Sequence, residues 1–343
     1  MQGVVSFGEI LLRLKTPGHE RFFQSSTIEA AFGGSESNVA SILAQFGQES
    51  AFVTAVPDNA VGDAVVSELR KYNVNTSFVK RRPGRLGIYF LETGAYQRPS
   101  NIIYDRTGSC IACAVPSDFN WSEIFQGTRW FHISGILPAV SENTGKICID
   151  ALKAAKKAGL IVSLDINYRR KLWDDRIASS CIKEIMQYID VLVANEEHVR
   201  RCLGISVADC EMPHDELPDE YFRTLSRNIE ESYSSVSVVA LTRKRTYTSD
   251  CSDFSAVLYD DAGDFFKSRK YHLENIVDSA GGEDAFSAGL IYGFLNYTDK
   301  RKTLNFAAAT ACLKHTIPGD VPFLSKEEVE LLVENNCPGR LHR

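Results

Sequence analysis

The chain has 343 residues, enough for one large α/β domain or about two domains of ordinary size. Hydrophobic residues make up 44%, aromatic residues 10% and charged residues 24%, a near-average globular composition that excludes collagen-like, disordered and disulfide-scaffold chains. Thirty-eight Lys+Arg against 44 Asp+Glu leave a net charge of −6. That balance argues against a nucleic-acid-coating surface, and it means that an anionic ligand needs dedicated arginines.

Met1–Phe7 runs directly into an apolar, strand-like stretch with no basic leader and no small-residue cleavage site. No apolar run reaches the roughly 18 residues of a membrane span, so the sequence reads as cytoplasmic, without a membrane partner. Nine cysteines are scattered from Cys110 to Cys337, an odd number in a chain too long to need staples, which fits a reducing compartment. Cys110 and Cys113 have C-x-x-C spacing but lack the strand-before, helix-after setting of a redox motif, and read as structural.

Short β-branched or aromatic runs predict buried strands at Val4–Phe7, Ala51–Val56, Trp130–Ser134, Leu160–Asp165, Val191–Asn195 and Val236–Thr242. Between them lie helical patterns such as Thr144–Ala158, with Ile147, Leu152 and Ala155 on one face and Gly159 as its terminator. Alternating strands and helices imply a mainly parallel sheet covered on both faces. Leu11–Phe32 and Leu86–Tyr104 instead alternate polar and apolar residues around Pro17-Gly18 and Pro83-Gly84. They read as antiparallel strands outside the main sheet, a β lid with segments at 11–32 and 86–110. Cys210–Tyr221, acidic and carrying Pro213 and Pro218, reads as a surface insertion.

Neither a G-x-x-x-x-G-K-[ST] loop nor a post-strand G-x-G-x-x-G occurs, which weakens P-loop enzymes and dinucleotide oxidoreductases. Two other glycine clusters lead into helical patterns. In Asp278-Ser279-Ala280-Gly281-Gly282-Glu283-Asp284, small residues precede a helix N-terminus whose free N–H groups suit an anion. Taken alone, Asp284 there is as readily a helix cap as a functional carboxylate. Gly33-Gly34-Ser35-Glu36-Ser37-Asn38 precedes Val39, Ile42, Leu43 and Phe46 at helical spacing. Its glycines allow close approach of a ligand, and Asn38 offers a donor and an acceptor.

With Asn195-Glu196-Glu197, these clusters resemble the ribokinase-like (PfkB) sugar kinases, over essentially the whole chain. Gly8-Glu9-Ile10, Gly87-Ile88-Tyr89-Phe90, Arg98-Pro99-Ser100, Tyr104-Asp105-Arg106, Asp165-Ile166-Asn167-Tyr168-Arg169 and the stretch from Leu313 to Asp320 look most like the 2-keto-3-deoxygluconate kinases within that family. The resemblance implies a single kinase domain over 1–343, a doubly wound α/β fold with a small β lid, and phosphoryl transfer from ATP to a sugar hydroxyl. It makes Asp284 the base and the N–H groups of Gly281, Gly282 and Glu283 the anion hole. Gly33, Gly34, Asn38, Tyr89 and Tyr104 would contact the sugar. Arg106 and Arg169 would hold a carboxylate, which favours a sugar acid over fructose or a nucleoside. Asn195, Thr242 and Asn305 match nucleotide positions. Mg²⁺ would be held largely through water near Asn195 and Glu197. A monovalent cation near Asp278 and pairing of subunits through lid edges are further family expectations.

Two positions depart from the pattern. Glu283 stands where the family has glycine before the catalytic aspartate. If its φ were positive it would add about 1 kcal/mol or more of strain. If its carboxylate faced the phosphates at about 4 Å, the cost would be roughly 4 kcal/mol at an effective dielectric constant near 20. His198 stands where N-x-x-E would end, and the remaining histidines show no zinc-ligand spacing. The alternatives are therefore a fructokinase or other sugar kinase of the same family, and a catalytically weakened homologue that binds a sugar acid.

Overall fold

The computed structural model describes residues 3–207 and 217–335. In chain order the strands are Gly3–Phe7 (β1), Leu11–Lys15 (β2), Glu29–Gly33 (β3), Ser50–Pro57 (β4), Val79–Arg82 (β5), Gly87–Glu92 (β6), Asn101–Asp105 (β7), Thr128–Ser134 (β8), Ile161–Asp165 (β9), Val191–Asn195 (β10), Val238–Thr248 (β11), Cys251–Asp260 (β12), Phe265–Lys267 (β13) and Tyr271–Glu274 (β14). Ten of them form one sheet in the order β13-β12-β11-β10-β9-β8-β1-β4-β5, with β14 also on β12. From β5 to β11 every pair is parallel. The edge beyond β11 is antiparallel.

Successive side chains along a strand point to opposite faces, and here both faces are buried. Val5, Phe131, Leu192 and Val239 join one core with the helices Glu142–Lys157, Asp175–Met186 and Asp219–Ser232. Val4, Trp130, Val191 and Val238 join the other with Ser35–Gln45, Gly282–Asn296 and Lys300–Lys314. The expected doubly wound, three-layer architecture is present. Glu142–Lys157 begins two residues earlier than the periodicity predicts, because Ser141 caps it and exchanges hydrogen bonds with Thr144. Strand β11 runs past the predicted Thr242 to Thr248, its polar second half held by antiparallel pairing with β12.

The lid is a separate four-stranded sheet in the order β3-β2-β6-β7. Its outer pairs are antiparallel, but β2 and β6 run parallel. The expectation of a purely antiparallel lid is corrected by topology: β2 and β6 are joined through the main domain, not by a hairpin, so no turn reverses one against the other. Of the expected insertion at 210–221, residues 210–216 lie outside the described residues, and Asp219–Tyr221 opens the helix Asp219–Ser232. Cys110 is buried and Cys113 exposed, both as free thiols. Among the described residues no helix is long and apolar enough to cross a membrane.

Candidate active site

Two helix N-termini meet beyond the carboxyl ends of the central strands, the usual ligand crevice of an open parallel sheet. One belongs to Gly282–Asn296. This helix is apolar all round and buried from Ala285 to Gly293, which fixes its first turn firmly. Gly281 precedes it with φ +79°, and a Cβ there would stand 2.2 Å from the Asp320 carbonyl oxygen, so both conformation and space require glycine. The other N-terminus belongs to Ser35–Gln45, which Gly34 opens and Gly47 ends at φ +80°.

Asp284 does not cap its own helix. Its carboxylate reaches across to the neighbouring one, accepting from Ser35 Oγ at 2.7 Å and from Asn38 Nδ2 at 2.7 Å. Asn38 Oδ1 in turn accepts from the Gly34 N–H at 3.2 Å. Asn167, at φ +38°, donates to Ser35 Oγ and to Asp165 Oδ2, both at 3.2 Å. Burial pushes the Asp284 carboxyl up to about 6, against the hydrogen bonds from Asn38 and Ser35 and the pull of Arg169. Asp165 is raised by burial and by Glu283 and Asp284. Glu36, held by the Ser134 N–H at 3.0 Å and Oγ at 2.5 Å, is raised to about 7 by burial. A carboxylate poised near neutrality beside free helix N–H groups suits a general base for a hydroxyl attacking a phosphoryl group.

Gly33, Gly34, Asn38, Tyr89, Tyr104, Arg106 and Arg169 all line one cavity of ≈ 330 Å³, together with Gly281, Gly282, Glu283 and Asp284. Their individual contacts revise several expected roles. The Cβ space at Gly33 is filled by the Asp320 carboxylate and that at Gly34 by the Glu9 carbonyl, so these glycines serve packing between loops before they serve any ligand. The hydroxyl of Tyr89, a residue expected to contact the sugar, donates to Asp320 at 2.7 Å. Arg106 is not free either: its Nε donates to Glu9 at 2.7 Å and its Nη2 pairs with the same carboxylate. A buried guanidinium bound to a buried carboxylate offers a ligand little net charge.

Arg169 is different. Its carbonyl accepts from the Leu172 N–H at 2.8 Å, but its guanidinium has no hydrogen-bond or ion-pair partner among the described residues and reaches into the cleft, where it feels the charges of Tyr104, Glu283, Asp284 and Asp165. Lys244, which sequence reasoning missed, is the second such cation. It stands on β11 two residues past Thr242, lines the same cavity, and is lowered by burial while Glu283 raises it. The strand alternation that aims Thr242 and Lys244 to one side was the available signal. Ser35 and Asp165 were also missed as members of the Asp284 network, although both sit inside quoted motifs.

The predicted nucleotide and metal residues are not gathered in this cavity. Asn195 caps the turn Glu196–His198, its Oδ1 accepting from the His198 N–H at 2.8 Å. Glu197 is exposed, bound to Arg201 Nε at 2.7 Å in an i,i+4 pair, and does not line the cavity. Thr242 donates weakly to the Ala194 carbonyl at 3.4 Å, and Asn305 accepts from the Arg269 N–H at 2.9 Å. Among the described residues no group of three or more His, Cys, Asp or Glu side chains could hold a metal ion.

Glu283 lies in the first turn of Gly282–Asn296 and is not among the residues with positive φ, which removes the backbone-strain reading. Its side chain shares the cavity with Arg169 and Lys244, and each of these cations feels its charge.

Residues 1–219 match the pfkB family carbohydrate kinase model. The chain belongs to the pfkB family of carbohydrate kinases, and ATP-dependent phosphotransfer to a sugar is the activity that membership brings. It is 30% identical over 336 residues to a 2-dehydro-3-deoxygalactonokinase of Haloferax volcanii, covering 98% of both chains. It is 28% identical over 343 residues to a 2-dehydro-3-deoxygluconokinase of Thermoproteus tenax, covering 97% of this chain and 95% of that one. Among solved structures it resembles the 2-dehydro-3-deoxygluconokinase of Thermotoga maritima, with a TM-score of 0.92, 42% identity and coverage of 97% and 98%.

Proposed function

We propose that the chain transfers the γ-phosphoryl group of ATP to a hydroxyl of 2-keto-3-deoxygluconate (2-dehydro-3-deoxygluconate). The observation that carries this reading is Arg169, an unpaired guanidinium in the same cavity as the Asp284 base. A neutral hexose would leave that guanidinium unsatisfied, whereas a carboxylate takes it up in a two-pronged, charge-assisted pair. The names of the similar kinases support the same substrate class.

In this reading Asp284 accepts the proton of the attacking hydroxyl while Ser35 and Asn38 hold its carboxylate in place. The free N–H groups at the start of Gly282–Asn296 face the transferring phosphoryl oxygens, and loose phosphoryl transfer needs little beyond such positioning and charge stabilisation. The nucleotide lies along β11, where an adjoining hollow of ≈ 280 Å³ is lined by Arg243, Lys244, Arg245, Lys267 and Lys270 and by only two carboxylates, Asp219, paired with Arg243 and Lys267, and Asp253, paired with Lys270, so its lining stays net positive toward a polyanion. Since the described residues offer no carboxylate cage, Mg²⁺ would be held by phosphate oxygens and water, where it offsets phosphate charge. Arg169 and Lys244 balance Glu283, so wild-type turnover is expected in spite of that carboxylate.

The test is ADP release with Mg-ATP and 2-keto-3-deoxygluconate, beside its galactonate epimer, fructose, ribose and gluconate, in wild type and Glu283→Gly. Selective wild-type turnover on a keto-deoxy acid supports the proposal, and preference for fructose would replace it with a fructokinase. Turnover only in Glu283→Gly would identify a weakened homologue.

A further inference from the structure

Loop 278–281, which delivers the anion hole, rests on the turn that follows Lys300–Lys314. The Val277 N–H donates to the His315 carbonyl at 2.9 Å, and the Gly319 N–H donates to Asp278 Oδ2 at 3.1 Å. Two buried cations tie these segments together. Arg13, from lid strand β2 and 2% exposed, places Nη2 2.5 Å from Asp278 Oδ2 and pairs through Nη1 with Asp320. Lys314, fully buried, donates from Nζ to the carbonyl oxygens of Asp278 at 3.0 Å and Ile317 at 3.2 Å.

Every oxygen of Asp278 therefore faces an N–H donor: Lys314 at the carbonyl, Arg13 and Gly319 at Oδ2, and Ala280 at Oδ1, at 3.1 Å. Asp320 is covered by Arg13 and by the Tyr89 hydroxyl. A bound metal ion needs several bare oxygen ligands in a shell around it. Two carboxylates meeting two protein cations leave neither bare oxygens nor uncompensated negative charge, and an additional ion would be a desolvated cation among cations. The residues present do not fit the monovalent ion that the family resemblance implies near Asp278.

We propose that Arg13 and Lys314 stand in for that ion as positioning residues, so that the catalytic loop of this chain is set without potassium or sodium. Because Arg13 comes from β2, the same arrangement fastens the lid to the loop that carries Gly281. This inference rests on the kinase reading above for its activity readout, but its stability readout does not.

The experiment compares potassium, sodium, ammonium and tetramethylammonium chlorides at matched ionic strength. It follows ADP formation directly by chromatography and thermal unfolding of the same protein. Wild type is expected to show the same rate and Tm in all four. Lys314→Ala, which leaves a hole lined by two carbonyl oxygens, is expected to lose turnover. Ammonium or potassium should restore it in a saturable way, with Tm rising as it does for a ligand that binds only the folded state. Lys314→Met, which fills the hole with an uncharged chain, should lose turnover without rescue. Saturable activation or stabilisation of wild type by potassium would overturn the inference, even if no variant folds. If no sugar acid is phosphorylated in any salt, the functional proposal fails, while the Tm series still decides this one.

Discussion

Ser35→Ala tests how the base is tuned. In the folded protein Ser35 Oγ donates to Asp284 Oδ1 at 2.7 Å, one of two side-chain hydrogen bonds that oppose the effect of burial. A hydrogen bond to a charged group contributes about 1.5–3 kcal/mol, and each pKa unit corresponds to about 1.36 kcal/mol. Removing the hydroxyl should therefore raise the Asp284 carboxyl by about one to two units, from about 6 in wild type. The sign follows from the role: a base must be ionised, so activity disappears as pH falls through the folded-state value. In wild type kcat/KM should fall below about pH 6. In Ser35→Ala the acid limb should move to about pH 7–8, with a two- to tenfold loss at about pH 7 that largely disappears by about pH 9. The measurement is the pH profile of kcat/KM by ADP release at saturating ATP. An acid limb that stays near its wild-type position, or a loss equal at every pH, would refute the assignment of Asp284 as a base held by Ser35.

Other outcomes follow from the same geometry. Arg169→Met should raise KM for a keto-deoxy acid by about 10- to 100-fold, the loss of one charge-assisted contact, while leaving any residual turnover of fructose unchanged in parallel assays. Arg106→Met leaves Glu9, 4% exposed, without its cation. It should destabilise the protein by about 3–5 kcal/mol in urea unfolding, and Glu9→Gln in the same chain should recover much of that. Gly281→Ala forces a Cβ against the Asp320 carbonyl at φ +79°. The left-handed conformation alone costs about 1–2 kcal/mol and the clash with the Asp320 backbone adds to it, so the strain should appear as a fall in kcat larger than any change in sugar KM.

The parallel sheet was legible because its strands are short β-branched runs with both faces buried, a local property. The two glycine clusters were legible for the same reason: each lies next to the helix it opens. Charge pairing was not. Arg106 meets Glu9 across 97 positions and Arg13 meets Asp320 across 307, and nothing local distinguishes a paired arginine from one waiting for a ligand. Arg106 and Arg169 therefore stand alike in the sequence, whereas the fold locks the first onto Glu9 and leaves the second without a hydrogen-bonded partner in the cleft. The Glu197 ion pair was not legible either, because it depends on a three-residue helical turn, Glu196–His198, and an Arg201 one turn on. The parallel β2–β6 pair escaped detection because register between strands 76 residues apart depends on the whole domain between them.

The most direct test of the account replaces the base itself. Asp284→Asn keeps the side-chain shape at the meeting of the two helices and can still accept from Asn38 Nδ2, but it presents an N–H₂ donor to Ser35 Oγ in place of an acceptor and cannot take a proton. With 2-keto-3-deoxygluconate and Mg-ATP its kcat should fall by about 10²–10⁴ while KM for the sugar acid changes little. Calorimetry should show the sugar acid still bound. A variant that keeps kcat within about tenfold of wild type would contradict the claim that Asp284 accepts the proton of the attacking hydroxyl.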